Sequence, residues 1–432
     1  MNFSATNRQT ESRFWNASDR RLISPQASDD ELTEFRRHVA TVRRARCGTT
    51  RTTLRRILGI PLAIRHAIRG VRHYGKNVSK RDGVSLAEQV LELFLAYLHG
   101  VRAEDFYVYR LYLCTSRATR RKHFAFGQVL PMQQHLIETS LCPDYVKVRN
   151  KNLFAQHCTE AGLPTVPMLA EFIEGDVVVH APLPPEGDLF SKPADLMIGI
   201  GTTLWRSQSP GSYSDDGARF VDRDELFTLL ASASKERATG DGSGRIILQR
   251  RVMNHQSMVG TLTTGGLCTI RVVTCRAPSG TIDYLPAVIR MPVGDAIADN
   301  IAQGGLAAPI SPAGTISGPA IRKDKSFGVS IFAKHPSTGV SFEGFRLPHW
   351  HEVLDLAVRA HVTFPTLHFI GWDIALLDEG AVLLEANAWW DLDLTLVPHG
   401  IAITNTQFIP YYNYHFRNLR AIQASVGAQA RS

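Results

Sequence analysis

The stretch Phe369-Ile370-Gly371-Trp372-Asp373-Ile374-Ala375-Leu376-Leu377, then Asp378-Glu379-Gly380, then Ala381-Val382-Leu383-Leu384-Glu385-Ala386-Asn387 constrains this chain more than any other. Two apolar runs around a glycine-containing turn read as a β-hairpin, with a three-residue loop and glycine at its left-handed position. Pairing Leu377 with Ala381 sets Asp373 opposite Glu385, with Asn387 on the same face two residues further on. Two carboxylates with Cβ atoms roughly 5 Å apart repel across a sheet, so a cation is expected between them. Mg²⁺ suits such a set of carboxylate and amide oxygens. A one-residue register slip, or a Lys or Arg that neutralises the pair, is the competing reading.

Two further constellations carry charge. Leu189-Phe190-Ser191-Lys192-Pro193 followed by Gly199-Ile200-Gly201-Thr202-Thr203 places a lysine at the end of a short strand before a glycine-containing turn. An ammonium and several backbone N–H groups there suit a polyphosphate, although the spacing is neither Walker A nor a dinucleotide fingerprint and such a segment by itself is more often a plain surface turn. Cys268-Thr269-Ile270-Arg271-Val272-Val273-Thr274 alternates as a strand with a permanent charge among apolar neighbours. A buried arginine needs an anion, and a phosphate, a substrate carboxylate or a structural carboxylate all serve. Arg290, in Val288-Ile289-Arg290-Met291-Pro292, raises the same question, and Asp299-Asn300 before Gly304-Gly305 adds a turn open to close ligand approach.

Taken in order, Lys151, Lys192 with its glycine loop, Ile246 through Gln249 to Val252, Arg271, Asp299-Asn300 with Gly304-Gly305, and Asp373 with Glu385-x-Asn387 resemble the ATP-grasp superfamily. In detail they resemble its sugar-transfer-associated branch, over roughly residues 140–400. The phrases His335-Pro336-Ser337-Thr338-Gly339, Gly371-Trp372-Asp373 and Glu385-Ala386-Asn387 are the specific ones. The resemblance implies an α+β fold of two lobes enclosing ATP, preceded by a helical N-terminal region. It implies adenine against Leu248 to Val252, with Gln249 and the backbone of Arg250, Arg251 and Val252 at the base, Gln256 at the ribose and Asn300 in the nucleotide site. Lys151 and Lys192 would meet the α- and β-phosphates, with Gly199 and Gly201 in the lid above them. Asp373, Glu385 and Asn387 would hold Mg²⁺, as two ions, and Arg271 with Lys192 would act in phosphoryl transfer. Gln249 stands where many relatives have an acid, and Lys147 competes with Lys151. The implied reaction is ADP-forming ligation of a carboxylate to an amine through an acylphosphate, in cell-surface polysaccharide or secondary metabolite biosynthesis. Such chemistry needs alignment and cations rather than a nucleophile-base pair, and none of the 16 histidines sits in one.

With 432 residues and 44% hydrophobic content the chain is expected to form more than one unit. The boundaries read as a polar disordered tail over 1–30, a basic helical region over 31–140, an N-terminal lobe over 141–250 and a C-terminal lobe with the metal site over 251–420. Six cysteines without C-x-x-C or zinc spacing argue against a disulfide scaffold and fit a cytoplasmic setting. Of the net +8, residues 1–80 carry 17 Lys and Arg against 6 Asp and Glu, which leaves −3 for the remainder. There Leu54, Ile57, Leu58, Ile60, Leu62, Ile64, Ile68 and Val71 alternate with Arg55, Arg56, Arg65, Arg69 and Arg72. The pattern suits peripheral contact with an anionic membrane, a solvated helix packed on the main domain, or another acidic partner. Confinement of charge to one end and the lack of a nucleic-acid motif argue against nucleic acid. A phosphotransferase on the same fold and a non-catalytic basic adaptor stand as the rival functions.

Overall fold

The computed structural model describes residues 27–57, 59–114, 124, 126–140, 142–184, 186–194, 201–215, 217, 219–239, 244–297, 299 and 304–429. Most of the expected tail lies outside them. Its last residues are ordered: Ala27 N donates to Thr404 O at 3.1 Å, and a helix begins two residues later. That helix, α1 (Asp29–Ile57), opens with a reciprocal cap in which Ser28 Oγ accepts from Glu31 N (3.2 Å) and the Glu31 carboxylate accepts from Ser28 N (2.7 Å). After it come α2 (Gly59–Gly70), a π-helical turn (Val71–Gly75), α3 (Lys76–Asp82), α4 (Leu86–Leu98), α5 (Ala103–Val108) and α6 (Phe126–Thr139). Gly83 at φ 75° stops α3, and Ser85 Oγ caps α4 by accepting from Glu88 N. The expected helical N-terminal region is therefore present.

Beyond α7 (Pro143–Arg149) and α8 (Lys151–Glu160) the chain builds two antiparallel sheets. The first has the order β2-β1-β6-β3-β4-β5, from β1 (Met168–Ile173), β2 (Asp176–Val179), β3 (Leu189–Pro193), β4 (Thr203–Ser209), β5 (Ser212–Ser214) and β6 (Arg245–Arg250). Helix α9 (Arg223–Ala238) covers it, packing Leu226 and Leu230 against Phe172 and Leu248. The second runs β12-β11-β10-β9-β7-β13-β14, with β8 also on β7. Its strands are β7 (Thr269–Arg276), β8 (Ile282–Tyr284), β9 (Val288–Met291), β10 (Leu306–Pro309), β11 (Ala320–Asp324), β12 (Gly328–Phe332), β13 (Phe369–Leu377) and β14 (Gly380–Asn387). Helices α10 (Trp350–Val362), α11 (Leu392–Leu396) and α12 (Phe408–Gln429) complete the fold.

Strand alternation gives the second sheet two cores. Ile270, Val272, Ile289 and Met291 pack with α10 residues Val353, Leu356 and Ala357. Val273, Cys275 and Val288 instead join Phe35, Tyr107 and Val129 of the N-terminal helices and Phe408 and Tyr412 of α12. The helical region thus shares its core with the second sheet. Arg271 points to the same face as Val273 and Cys275, where apolar packing gives way to charge. Among the described residues no helix is long and apolar enough to cross a membrane.

Candidate functional site

Strand β13 lies between β7 and β14, and Asp373 pairs with Arg271 on one side and Glu385 on the other. The register is reached differently from the expected hairpin. Leu377 pairs with Gly380, so the loop is two residues, Asp378 and Glu379, and Gly380 (φ 136°) opens β14. A bulge at Leu384, between the pairs Ile374–Leu383 and Asp373–Glu385, restores the lost residue. The two irregularities cancel, and both carboxylates still face each other.

Arginine relieves much of the repulsion between them. Arg271 Nε donates to Asp373 Oδ1 at 2.7 Å and Nη2 to Oδ2 at 3.1 Å, a buried two-point pair. Arg290 Nη1 lies 3.6 Å from Asp373 Oδ2, and Asn387 Nδ2 donates to the same oxygen at 3.3 Å. Burial works to raise the Asp373 pKa, but Arg271 and Arg290 outweigh it and hold the carboxyl below its usual range. Arg290 also donates from Nε to Thr269 Oγ1 (2.8 Å) and from Nη2 to Asp299 Oδ1 (2.9 Å), while Thr269 Oγ1 donates to Asp299. Burial opposes the Arg290 charge, and Asp299, Asp373 and Glu385 together raise its pKa nonetheless. Arg290 and Asp299 are therefore as central as Arg271, although only their strand alternation and turn marked them in the sequence. Asn300 lies outside the described residues.

The first lobe contributes the lysines. Lys192 is half-buried on β3, between Ser191, whose Oγ accepts from Trp205 Nε1 (2.9 Å), and Pro193. Burial, with Lys151 adding to it, pushes the Lys192 ammonium down to about 8, while Glu385 pulls the other way. Lys192 of one sheet is thus coupled to Lys151 and to Glu385 of the other. Lys151 opens α8 behind Asn150, whose Oδ1 caps Asn152 N and Leu153 N, and its Nζ donates to Pro193 O at 3.4 Å. Lys147 is held by Asp144 (2.9 Å), so Lys151 is the lysine that borders Lys192. Gly201 is described, with φ 72°, and Gly199 lies outside.

The expected nucleotide hinge is drawn together only in part. Gln249 is buried in β6 and its Nε2 donates to Val166 O at 3.1 Å, so the amide is committed to the chain's own backbone. Arg250 is exposed and Val252 half-buried. Gln256 stands apart: its N donates to Asp378 Oδ1 (2.8 Å) at the hairpin loop, five residues or roughly 16 Å along the strand from Asp373. The side chain of Arg251, to which the sequence assigned no role, bridges Asp188 (2.6 Å) and Gly265 O (3.1 Å) and ties the two sheets' connecting segments.

Among the described residues no group of three or more His, Cys, Asp and Glu is placed to hold a metal. Glu385 and Asn387, on one face of β14, fit as two oxygen donors of an ion completed by phosphate oxygens and water, the environment Mg²⁺ prefers. Asp373 fits less directly, because both its oxygens already accept from Arg271.

Comparison with known proteins gives a family match over residues 141–408, to sugar-transfer associated ATP-grasp. Solved structures with some likeness include D-alanine–D-alanine ligase from Bacillus anthracis (12% identity, 63% of this chain and 69% of that one, TM-score 0.35). They include a biotin carboxylase complex from Campylobacter jejuni (13%, 62% and 46%, TM-score 0.37) and the ADP complex of N5-carboxyaminoimidazole ribonucleotide synthetase (13%, 57% and 46%, TM-score 0.34). The chain spans less than half the length of the latter two, and likenesses this distant carry no argument about its activity. No curated protein matches the sequence. The family match covers more than half of the chain and contains the two sheets with their charged face, and the chain belongs to the sugar-transfer associated ATP-grasp family.

Proposed function

We propose that the chain is an ATP- and Mg²⁺-dependent ligase that joins a carboxylate to an amine through an acylphosphate. The observation that carries the reading is the charged face of the second sheet, where Asp373 stands between Arg271 and Glu385 with Arg290 3.6 Å away, together with the first-lobe lysines, Lys151 reaching Pro193 O next to Lys192. Two neighbouring ammonium groups on the first lobe, with Glu385 and Asn387 on the second, suit a polyanion bridged to the second lobe by a metal. Lys151 and Lys192 bind the nucleotide phosphates, Gly201 belongs to the lid, and the backbone from Arg250 to Val252 lines the base, with the Gln249 amide held back by Val166 O. Glu385 and Asn387, with Asp373 behind them, would hold Mg²⁺, which when bound would supply charge neutralisation for the phosphates.

A substrate carboxylate oxygen attacks the γ-phosphorus and ADP leaves. The amine then attacks the acylphosphate carbonyl, expels inorganic phosphate and gives up a proton to form the amide. Arg271 orients Asp373 through Nε and Nη2, and its Nη1, which makes no bond among the described residues, is left for a phosphoryl oxygen. The family's association with sugar transfer makes a sugar acid and a small amine the first pair to try, on context rather than chemistry.

The test is incubation with ATP, Mg²⁺ and candidate carboxylates in the presence of hydroxylamine, which captures an acylphosphate as a hydroxamate. Stoichiometric ADP and hydroxamate support the ligase. ADP with a stable phosphate ester on a hydroxyl points to a phosphotransferase instead.

A further inference from the structure

We propose that the outward face of α2 docks the protein on an anionic lipid bilayer, an inference independent of the ligase reading. Between Glu34 and Asp82 the chain has no Asp or Glu and fourteen Lys and Arg. Within that stretch α2 is fixed in rotation by its small residues. Ala63, Ala67 and Gly70 are buried, and a Cβ on Gly70 would stand 2.6 Å from Leu93 and 2.7 Å from Ala103 Cβ. The opposite side therefore faces out. There Ile60, Ile64 and Ile68 form a row at four-residue spacing, 61%, 46% and 39% exposed. Arg65, Arg69 and Arg72 stand in the neighbouring row, exposed and without an ion-pair partner among the described residues.

Three exposed isoleucines are unfavourable in water and favourable at an acyl-chain boundary, while arginines beside them reach the lipid phosphates. A nucleic acid would use the arginines and leave the isoleucines in water. At the end of the same helix an open cleft of about 690 Å³ is lined by His66, Arg69, Arg72, His73, Tyr74 and Glu104. It gives a headgroup phosphate two guanidinium groups. His66 there has its Nε2 accepting from Ala103 N (2.9 Å), and burial with Arg102 and Arg69 lowers its pKa.

Flotation of the full chain with vesicles tests the proposal, using phosphatidylcholine alone and a three-to-one mixture with phosphatidylglycerol. The wild type is expected to float only with the anionic vesicles. Arg65→Gln, Arg69→Gln and Arg72→Gln together should lower partitioning on the order of a hundredfold at low salt. Ile64→Asn with Ile68→Asn should lower it roughly tenfold or more, and Lys325→Gln, at an exposed turn elsewhere, should leave it unchanged. Circular dichroism verifies folding, and the single isoleucine variants repeat the test if the double variant unfolds. A wild type that stays below the anionic vesicles overturns the proposal. So does binding that survives the isoleucine substitutions and is displaced by duplex oligonucleotide, which would make the face a general polyanion surface.

Discussion

Arg271 and Asp373 face each other across neighbouring strands and close a two-point ion pair, Nε to Oδ1 at 2.7 Å and Nη2 to Oδ2 at 3.1 Å, both side chains buried. Removing one partner strands the other's charge. Arg271→Ala is expected to destabilise the protein by about 3–5 kcal/mol, read as a lower urea midpoint. Arg271→Lys, which keeps the charge and loses the fork, should fall between the two; an Ala variant as stable as the wild type would show that the pair is not held as described.

The helical region is joined to the second sheet at Gly328. This glycine, at φ 81° where β12 begins, comes so close to α5 that a Cβ would stand 2.5 Å from the Tyr107 carbonyl carbon. Gly328→Ala is expected to cost about 1–3 kcal/mol and to raise amide exchange across Ala103–Val108 before the strands of the first sheet. Exchange unchanged in α5 would contradict a shared core.

Lys192 gives a proton signature. Burial and Lys151 depress its pKa to about 8 from an ordinary lysine value, so the folded chain holds fewer protons than the unfolded one in the window above about 8, and stability from this group rises with pH there. A bound polyphosphate restores the ammonium. Binding at about pH 8.5 should therefore take up protons, seen as a calorimetric enthalpy that depends on buffer ionisation, and at about pH 6.5 this uptake should vanish. Lys192→Met should abolish the dependence and weaken binding by about tenfold or more.

Asp393 shows the opposite sign. Burial and Asp391 raise its pKa to about 7, against the pull of Lys323, whose Nζ lies 3.0 Å away. The folded chain then holds more protons than the unfolded one between the ordinary carboxylate range and about 7, so stability from this group falls as pH rises through that window. Asp393→Asn, which mimics the protonated acid, should flatten the melting temperature against pH there. An unchanged slope would assign the dependence to another group.

The parts of the site legible in the sequence are those set by strand periodicity. Alternation alone placed Arg271 on a buried strand and Asp373 opposite Glu385. The bulge at Leu384 left no signature, because backbone irregularity in an apolar run changes no residue type, and the pairing survived only because the loop was also one residue shorter. Partners brought together through loops were invisible for a different reason. Asp299 reaches Arg290 through a turn, and the Gln249 amide donates to Val166 O. The sequence allowed the basic helical region to pack on the main domain but named no partner residues, and Phe35 and Tyr107 pack in one core with Val273 and Phe408, a long-range contact that local patterning does not encode.

Calorimetric titration of the folded wild type with a non-hydrolysable ATP analogue, with and without Mg²⁺, beside Glu385→Ala and Lys192→Ala, tests the account most directly. The account predicts Mg²⁺-dependent binding by the wild type, loss of that dependence in Glu385→Ala, and weaker binding in Lys192→Ala under both conditions. A well-folded wild type that does not bind the analogue, or variants that bind it as the wild type does, would contradict it.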